Sequence, residues 1–194
     1  RNAEDDQYYW RITPWVMPSF TMVPPRGDHP VHGHFWIPIN DFSCWAWSFD
    51  YKSQRDLTTA ERAAMDDGQG IHCKYVPGSN YLPLANRSND YLMNRNAQKA
   101  GLTYSGIESI AIQDGAMQES MGVICDRSDE KLSPTDKGIM MARRKIFKSI
   151  KDMQENGNPP PGVNPEEHKI RSASVILQRD RDYDEGARSA TVLE

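Results

Sequence analysis

Residues 106–122, GIESIAIQDGAMQESMG, place one carboxylate where a helix would put apolar side chains. Wound at the helical period, the segment sets Ile107, Ile110, Met117 and Met121 on one side. Asp114 falls on that stripe, four residues after Ile110 and three before Met117. A carboxylate facing a core is strongly disfavoured unless it is paired, hydrogen-bonded or bound to a metal. Two kinds of role are therefore open to Asp114: a buried salt bridge or cap, or ligation of a metal. If the helix starts at Asp114-Gly115, the acid would also suit the helix dipole. Gln113 and Gln118 flank it, and either amide could orient the carboxylate or a bound water, although Gln118 could equally bond locally. Glu119 reads as a structural partner of a nearby arginine, Arg143 or Arg144.

Other metal-binding residue types are sparse. His29 and His34 lie five residues apart, but Pro30 and Gly33 between them forbid the helix that would bring the pair to one side. Together with His32 they read as loop and strand histidines, with an adventitious zinc site as the lesser alternative. Cys44, Cys73 and Cys125 are odd in number and widely spaced. That pattern signals neither a disulfide framework nor a closed zinc site.

These side chains need elements to hold them. Residues 8–13 and 15–23 are rich in aromatic and β-branched types and punctuated by Pro14, Pro18, Pro24 and Pro25, as strands and turns would be. Aromatic residues return over 34–51, where Trp45, Trp47, Phe49 and Tyr51 alternate on one strand face. A short helix follows Leu57, capped by Thr58 or Thr59, and residues 66–105 are loop-rich with a short helix within 90–100. The clearest helix covers residues 134–156. Ser133 and Asp136 form its capping box, Pro134 takes its first position and Gly157 its end. Ile139, Met140, Ile146, Phe147, Ile150 and Met153 make its apolar face, which should pack on the sheet. Its basic face reads as solvated, with an acidic redox partner or neighbouring subunit as the sharper alternative. The expected fold is α+β, a curved antiparallel sheet with a long C-terminal helix.

The 194 residues carry 23 Lys and Arg against 27 Asp and Glu, for a net charge of −4. This balance argues against a nucleic-acid binder. No run is long and apolar enough for a membrane span, and the expectation is a cytoplasmic protein. Arg1 opens the chain without Met and leads through Glu4-Asp5-Asp6 into strand-like sequence, so a longer parent polypeptide is expected.

Gln113-Asp114, Gln118-Glu119-Ser120-Met121-Gly122, Asp126-Arg127 and Ala142-Arg143-Arg144 together resemble the C-terminal catalytic region of Rieske-type aromatic-ring oxygenases. The similarity is to the branch with phthalate 4,5-dioxygenase and the dehydrodivanillate O-demethylases. Asn80-Tyr81-Leu82, Asn89-Asp90-Tyr91-Leu92 and Gln98-Lys99 fit the same branch, so the resemblance covers roughly residues 9–178. It implies a helix-grip fold, with 1–178 as the C-terminal part of the mononuclear iron domain; residues 179–194, charged and poor in apolar side chains, read as a mobile tail. It also implies a non-haem Fe(II) held by two His and one carboxylate, the carboxylate being Asp114. The family's D-x-x-H-x-x-x-x-H motif is missing, and so is the C-x-H…C-x-x-H signature of the 2Fe–2S cluster. The resemblance thus implies partners: an N-terminal Rieske half, a reductase, O₂, an aromatic acid, and further copies in a trimer or a multiple of one. This segment alone should be inactive. Arg11, beside aromatic residues on the first strand, is the candidate for a substrate carboxylate. A metal-free helix-grip module binding an apolar ligand is the second reading.

Overall fold

The computed structural model describes residues 2–193. In chain order the elements are β1 (Gln7–Ile12), β2 (Trp15–Val16), β3 (Phe20–Val23), β4 (Val31–Asn40), β5 (Ser43–Tyr51), α1 (Thr59–Asp66), α2 (Arg95–Lys99), α3 (Ile110–Ser120), α4 (Lys137–Asn156), β6 (Ala173–Gln178) and α5 (Tyr183–Thr191). This mixture of helices with antiparallel sheet is the expected α+β class. Two compact units divide the chain. One holds the residues up to Ile39, Ser43–Tyr51 and those from Lys131 onward; the other holds Asn40–Phe42 and Lys52–Glu130.

Among the described residues the six strands, apart from Asn40 at the end of β4, fall in the first unit, in two sheets where the sequence suggested one. A four-stranded sheet runs β2-β3-β4-β5, and β1 pairs separately with β6. The strand expected over 15–23 is broken into β2 and β3 by a turn with a cis Met17–Pro18 bond. Phe20 on β3 lies opposite Phe35 on β4, and the two rings stack at 4.5 Å. Phe49 on β5 joins both at 5.6 Å, so the alternating aromatic face of β5 is real near its end. Trp47, further along that face, is exposed.

β1 and β6 form a two-stranded antiparallel ladder, Gln7 opposite Gln178 through Ile12 opposite Ala173. Two serines tie β6 and the residue before it to the end of β3 and the chain just beyond. Ser172, buried, donates to the Val23 carbonyl at 2.9 Å, and Ser174 to that of Pro25 at 2.7 Å.

Where the sequence suggested a tail, Tyr183–Thr191 form a helix, α5. The Asp182 carboxylate caps α5 by accepting from the Glu185 N–H at 3.1 Å, and Ala187 is buried. Tyr183 packs its ring 4.9 Å from that of Trp10 on β1. Bonds to backbone carbonyls add to this: the Arg171 N–H donates to Thr191 O and its Nε to Ala190 O, each at 2.8 Å, which charge and composition do not announce.

α4 begins and ends where its caps require. A 3₁₀ turn over Pro134–Asp136 leads into it, with the Asp136 carboxylate accepting from the Ser133 N–H at 2.8 Å and hydroxyl at 2.9 Å. Gly157 ends it at φ 71°, the left-handed conformation that suits glycine. Its packing differs from expectation. No α4 side chain is buried, and Phe147 on the apolar face is 72% exposed. Amphipathicity marks a face able to bury apolar area; it does not name the surface that covers it.

In the second unit, α1 starts with the capping box its sequence spells. The Glu61 N–H donates to Thr58 Oγ1 at 3.1 Å, and the Thr58 N–H donates back to Glu61 Oε2 at 2.7 Å. Arg55 closes on the same carboxylate from two nitrogens, each at 2.7 Å. This fork and the Thr58 N–H hold Glu61 down to a pKa of about 2.

Candidate functional site

α3 carries the chemistry-bearing carboxylate, and polar bonds hold it more than packing does. Ser109 precedes the helix at φ 67°, with its hydroxyl donating to His72 O at 2.6 Å and Gly70 O at 3.2 Å. The Ile110 N–H donates to the same Gly70 carbonyl at 2.9 Å. The helix therefore begins at Ile110 and not at Asp114. Within α3 only Ile112 is buried.

That start overturns the buried stripe. Ile107 is buried but precedes the helix, so it cannot set the helical phase. Ile110, Met117 and Met121 are exposed. Asp114 follows Ile112 by two residues, about 200° around the axis, which faces it away from the buried side. Asp114 is exposed, and among the described residues its carboxylate takes part in no hydrogen bond or ion pair. Neither the buried salt bridge nor the cap is present.

Of the flanking amides, Gln113 donates to its own helix start, Nε2 to Ser109 O at 3.3 Å. Gln118 is exposed, one turn after Asp114 on the same face. Glu119 accepts from the Tyr91 hydroxyl at 2.6 Å, a partner 28 residues away in place of the expected arginine. Tyr91 lies in a 3₁₀ segment, Arg87–Leu92, that touches α3. Burial, then the bond to the Glu119 carboxylate, push the Tyr91 pKa up to about 12. No local pattern announces this pair; the only sequence signal was that both residues fall in the quoted motifs.

Arg11 lies in the other unit, exposed on β1 and opposite Ser174. Its Nη2 donates to the Pro24 carbonyl at 3.0 Å, which fixes the guanidinium. With Tyr9, Trp10, Arg26 and Gly27 it lines an open concavity of about 640 Å³. Two arginines beside aromatic side chains suit an anionic aromatic ligand. Arg26 was not singled out in the sequence because a lone turn arginine carries no pattern.

The histidines are loop and strand residues. His29 is in the loop before β4; His32 and His34 are on β4. His32 Nδ1 is 2.7 Å from Asp50 Oδ1, and the His34 ring lies 5.0 Å from that of Trp36. Among the described residues no three His, Cys, Asp or Glu are grouped so as to hold a metal. Asp114 thus offers a hard oxygen donor, a single ligand's share of an iron site and not the whole of one. No helix among the described residues is long and apolar enough to cross a membrane.

The family model described as LigXa C-terminal domain like matches residues 1–191. The chain is 32% identical over 173 residues to the 3-chlorobenzoate-3,4-dioxygenase oxygenase subunit of Comamonas testosteroni, covering 84% of this chain and 40% of that protein. It is 29% identical over 188 residues to the phthalate 4,5-dioxygenase oxygenase subunit of Pseudomonas putida, covering 94% of this chain and 41% of that one. The chain spans about two fifths of the length of these relatives. On this evidence it belongs to the LigXa C-terminal domain-like family, the C-terminal catalytic region of Rieske-type aromatic-ring oxygenases.

Proposed function

We propose that this chain is the C-terminal catalytic portion of the oxygenase component of a Rieske non-haem iron oxygenase that hydroxylates or O-demethylates an aromatic acid. The observation that carries the reading is Asp114: an exposed carboxylate with no partner among the described residues, on a helix of a chain that belongs to this family. In the whole protein Asp114 would supply one oxygen ligand to Fe(II), and two histidines outside this chain would supply the rest. Bound there, the iron would activate O₂ with electrons passed from a reductase through a 2Fe–2S cluster. Among the described residues no three donors are grouped to hold a metal, and in this proposal turnover belongs to the complete subunit.

The relatives' names specify 3-chlorobenzoate and phthalate, both aromatic acids. That supports an anionic aromatic substrate here, and Arg11 is the residue we assign to its carboxylate. The fixed guanidinium and its aromatic neighbours support that role. Assembly as a trimer or a multiple of one is part of the same proposal.

The test is Asp114→Asn in the full-length subunit, assayed for iron content and for consumption of O₂ with an aromatic acid. The amide keeps the shape and loses the anionic donor, so iron content and turnover should both collapse. A folded variant that keeps its iron and its turnover would sink the proposal.

A further inference from the structure

Asp114 can serve as a ligand only if α3 presents it at one angle, and the contacts of α3 bear on that angle. With Ile112 as its single buried side chain, α3 has little packing to resist rotation about its own axis. The side-chain periphery of a helix lies roughly 5–6 Å from the axis, so a turn of about 20° moves a carboxylate by about 2 Å. Productive ligand geometry tolerates roughly 0.5 Å. Packing alone does not hold α3 to that tolerance.

Two polar pins bracket the carboxylate. One is at the start of the helix, where Ser109 and Ile110 bond to the His72 and Gly70 carbonyls. The other lies beyond Asp114, where the Tyr91 hydroxyl meets Glu119 at 2.6 Å. The segment that presents Tyr91 is conformationally costly. Asp90, Tyr91 and Leu92 follow one another at φ 56°, 54° and 51°, and none is glycine. Such a run persists only where surrounding bonds over-determine it. Asn86 and Asn89 supply them: the Tyr91 N–H donates to Asn86 O at 2.9 Å, the Asn86 N–H to Asn89 Oδ1 at 2.9 Å, and Asn89 Nδ2 to Leu84 O at 2.7 Å.

We infer that Tyr91 is a positioning residue: through Glu119 it fixes the rotation of α3 and so aims Asp114 at the metal. The inference rests on Asp114 being a ligand, as proposed above. Tyr91 touches neither metal nor substrate in this role. Its effect passes through the helix, so its loss should alter ligand geometry while leaving the fold intact.

The experiment uses the full-length subunit with Co(II) as a spectroscopic probe in place of iron. Tyr91→Phe, Glu119→Leu and the double variant are compared for Co(II) affinity, for visible d–d bands at saturating metal, and for melting temperature; Asp114→Asn serves as reference. Each single variant should weaken Co(II) about tenfold, the lower range for loss of a supporting contact around a metal site. The d–d bands should shift even when the site is full, the double variant should match the singles, and melting should change little. Tyr91→Phe with wild-type affinity and bands, beside an Asp114→Asn variant that loses metal, would overturn the inference and leave the ligand standing. A fall in melting temperature with wild-type bands at saturation would make Tyr91 merely structural and overturn it too. Retention of Co(II) by Asp114→Asn would remove the ligand itself.

Discussion

Gly33→Ala should destabilise the four-stranded sheet by an amount the neighbouring atoms define. Gly33 is buried on β4, opposite Met22 on β3, the least exposed side chain of the core. A β-carbon there would run into the Phe49 ring and come within 2.6 Å of the Thr21 carbonyl oxygen. An ordinary carbon–oxygen approach is about 3.3 Å or more. The ring can move, but only by leaving its stack with Phe20 and Phe35, and the Thr21 carbonyl is backbone of the adjacent strand. Overpacking of this kind costs about 1–3 kcal/mol, and a disturbed aromatic pair adds about 0.5–1.5. Against that, replacing glycine restricts the unfolded chain and returns about 0.4–1 kcal/mol. The balance is a loss of roughly 0.5–4 kcal/mol, and at its centre of about 2 kcal/mol the melting temperature of a chain of this size falls by about 4–8 °C. Circular dichroism melts and a denaturant midpoint at constant slope would measure it. Adding Phe49→Leu should restore part of the loss by vacating the space. An alanine variant that melts at or above the wild-type temperature would refute the argument.

Three further outcomes follow from local geometry. Arg55→Gln should raise the Glu61 pKa from about 2 toward its ordinary value of 4.5, read by carbon-detected NMR of the carboxyl. Because the folded value is depressed, this group's support for α1 is complete above the unfolded pKa and fades as pH falls toward about 2; the variant should lose that acid dependence. Glu119→Leu should lower the Tyr91 pKa from about 12 toward 10, followed by phenolate absorbance. Here the folded value is raised, so the stabilisation is present below about pH 10 and is lost as pH rises through about 12. Asp182→Ala should cost about 1 kcal/mol and speed amide exchange in α5, whereas unchanged exchange would mean the cap is idle.

Features written within a few residues could be read from the sequence. Thr58 with Glu61, Ser133 with Pro134 and Asp136, and Gly157 all stand where helix-end chemistry requires, because a cap is decided by atoms three or four positions apart. The alternation along β5 is equally local. The pairing of β1 with β6 is not, since some 160 residues separate the partners and nothing short-range selects them. Residues 179–193 show the opposite error. Their charge suggested a tail, yet Asp182 followed three residues later by Glu185 was a helix start in plain view.

Asp114 shows how a residue can be singled out by an argument that fails. The stripe reading supposed one continuous helix through Ile107, and its force came from burial. The strained Ser109 breaks that continuity, shifts the phase and leaves the carboxylate exposed without a partner among the described residues. A buried acid would have asked which group neutralises it. An exposed one asks what it is presented to, and what fixes its direction. The second question has a structural answer, since a helix with a single buried side chain takes its orientation from its polar ends. The Tyr91–Glu119 bond is the end that sequence could not show, and the cost of three successive left-handed residues is the reason to expect that it matters.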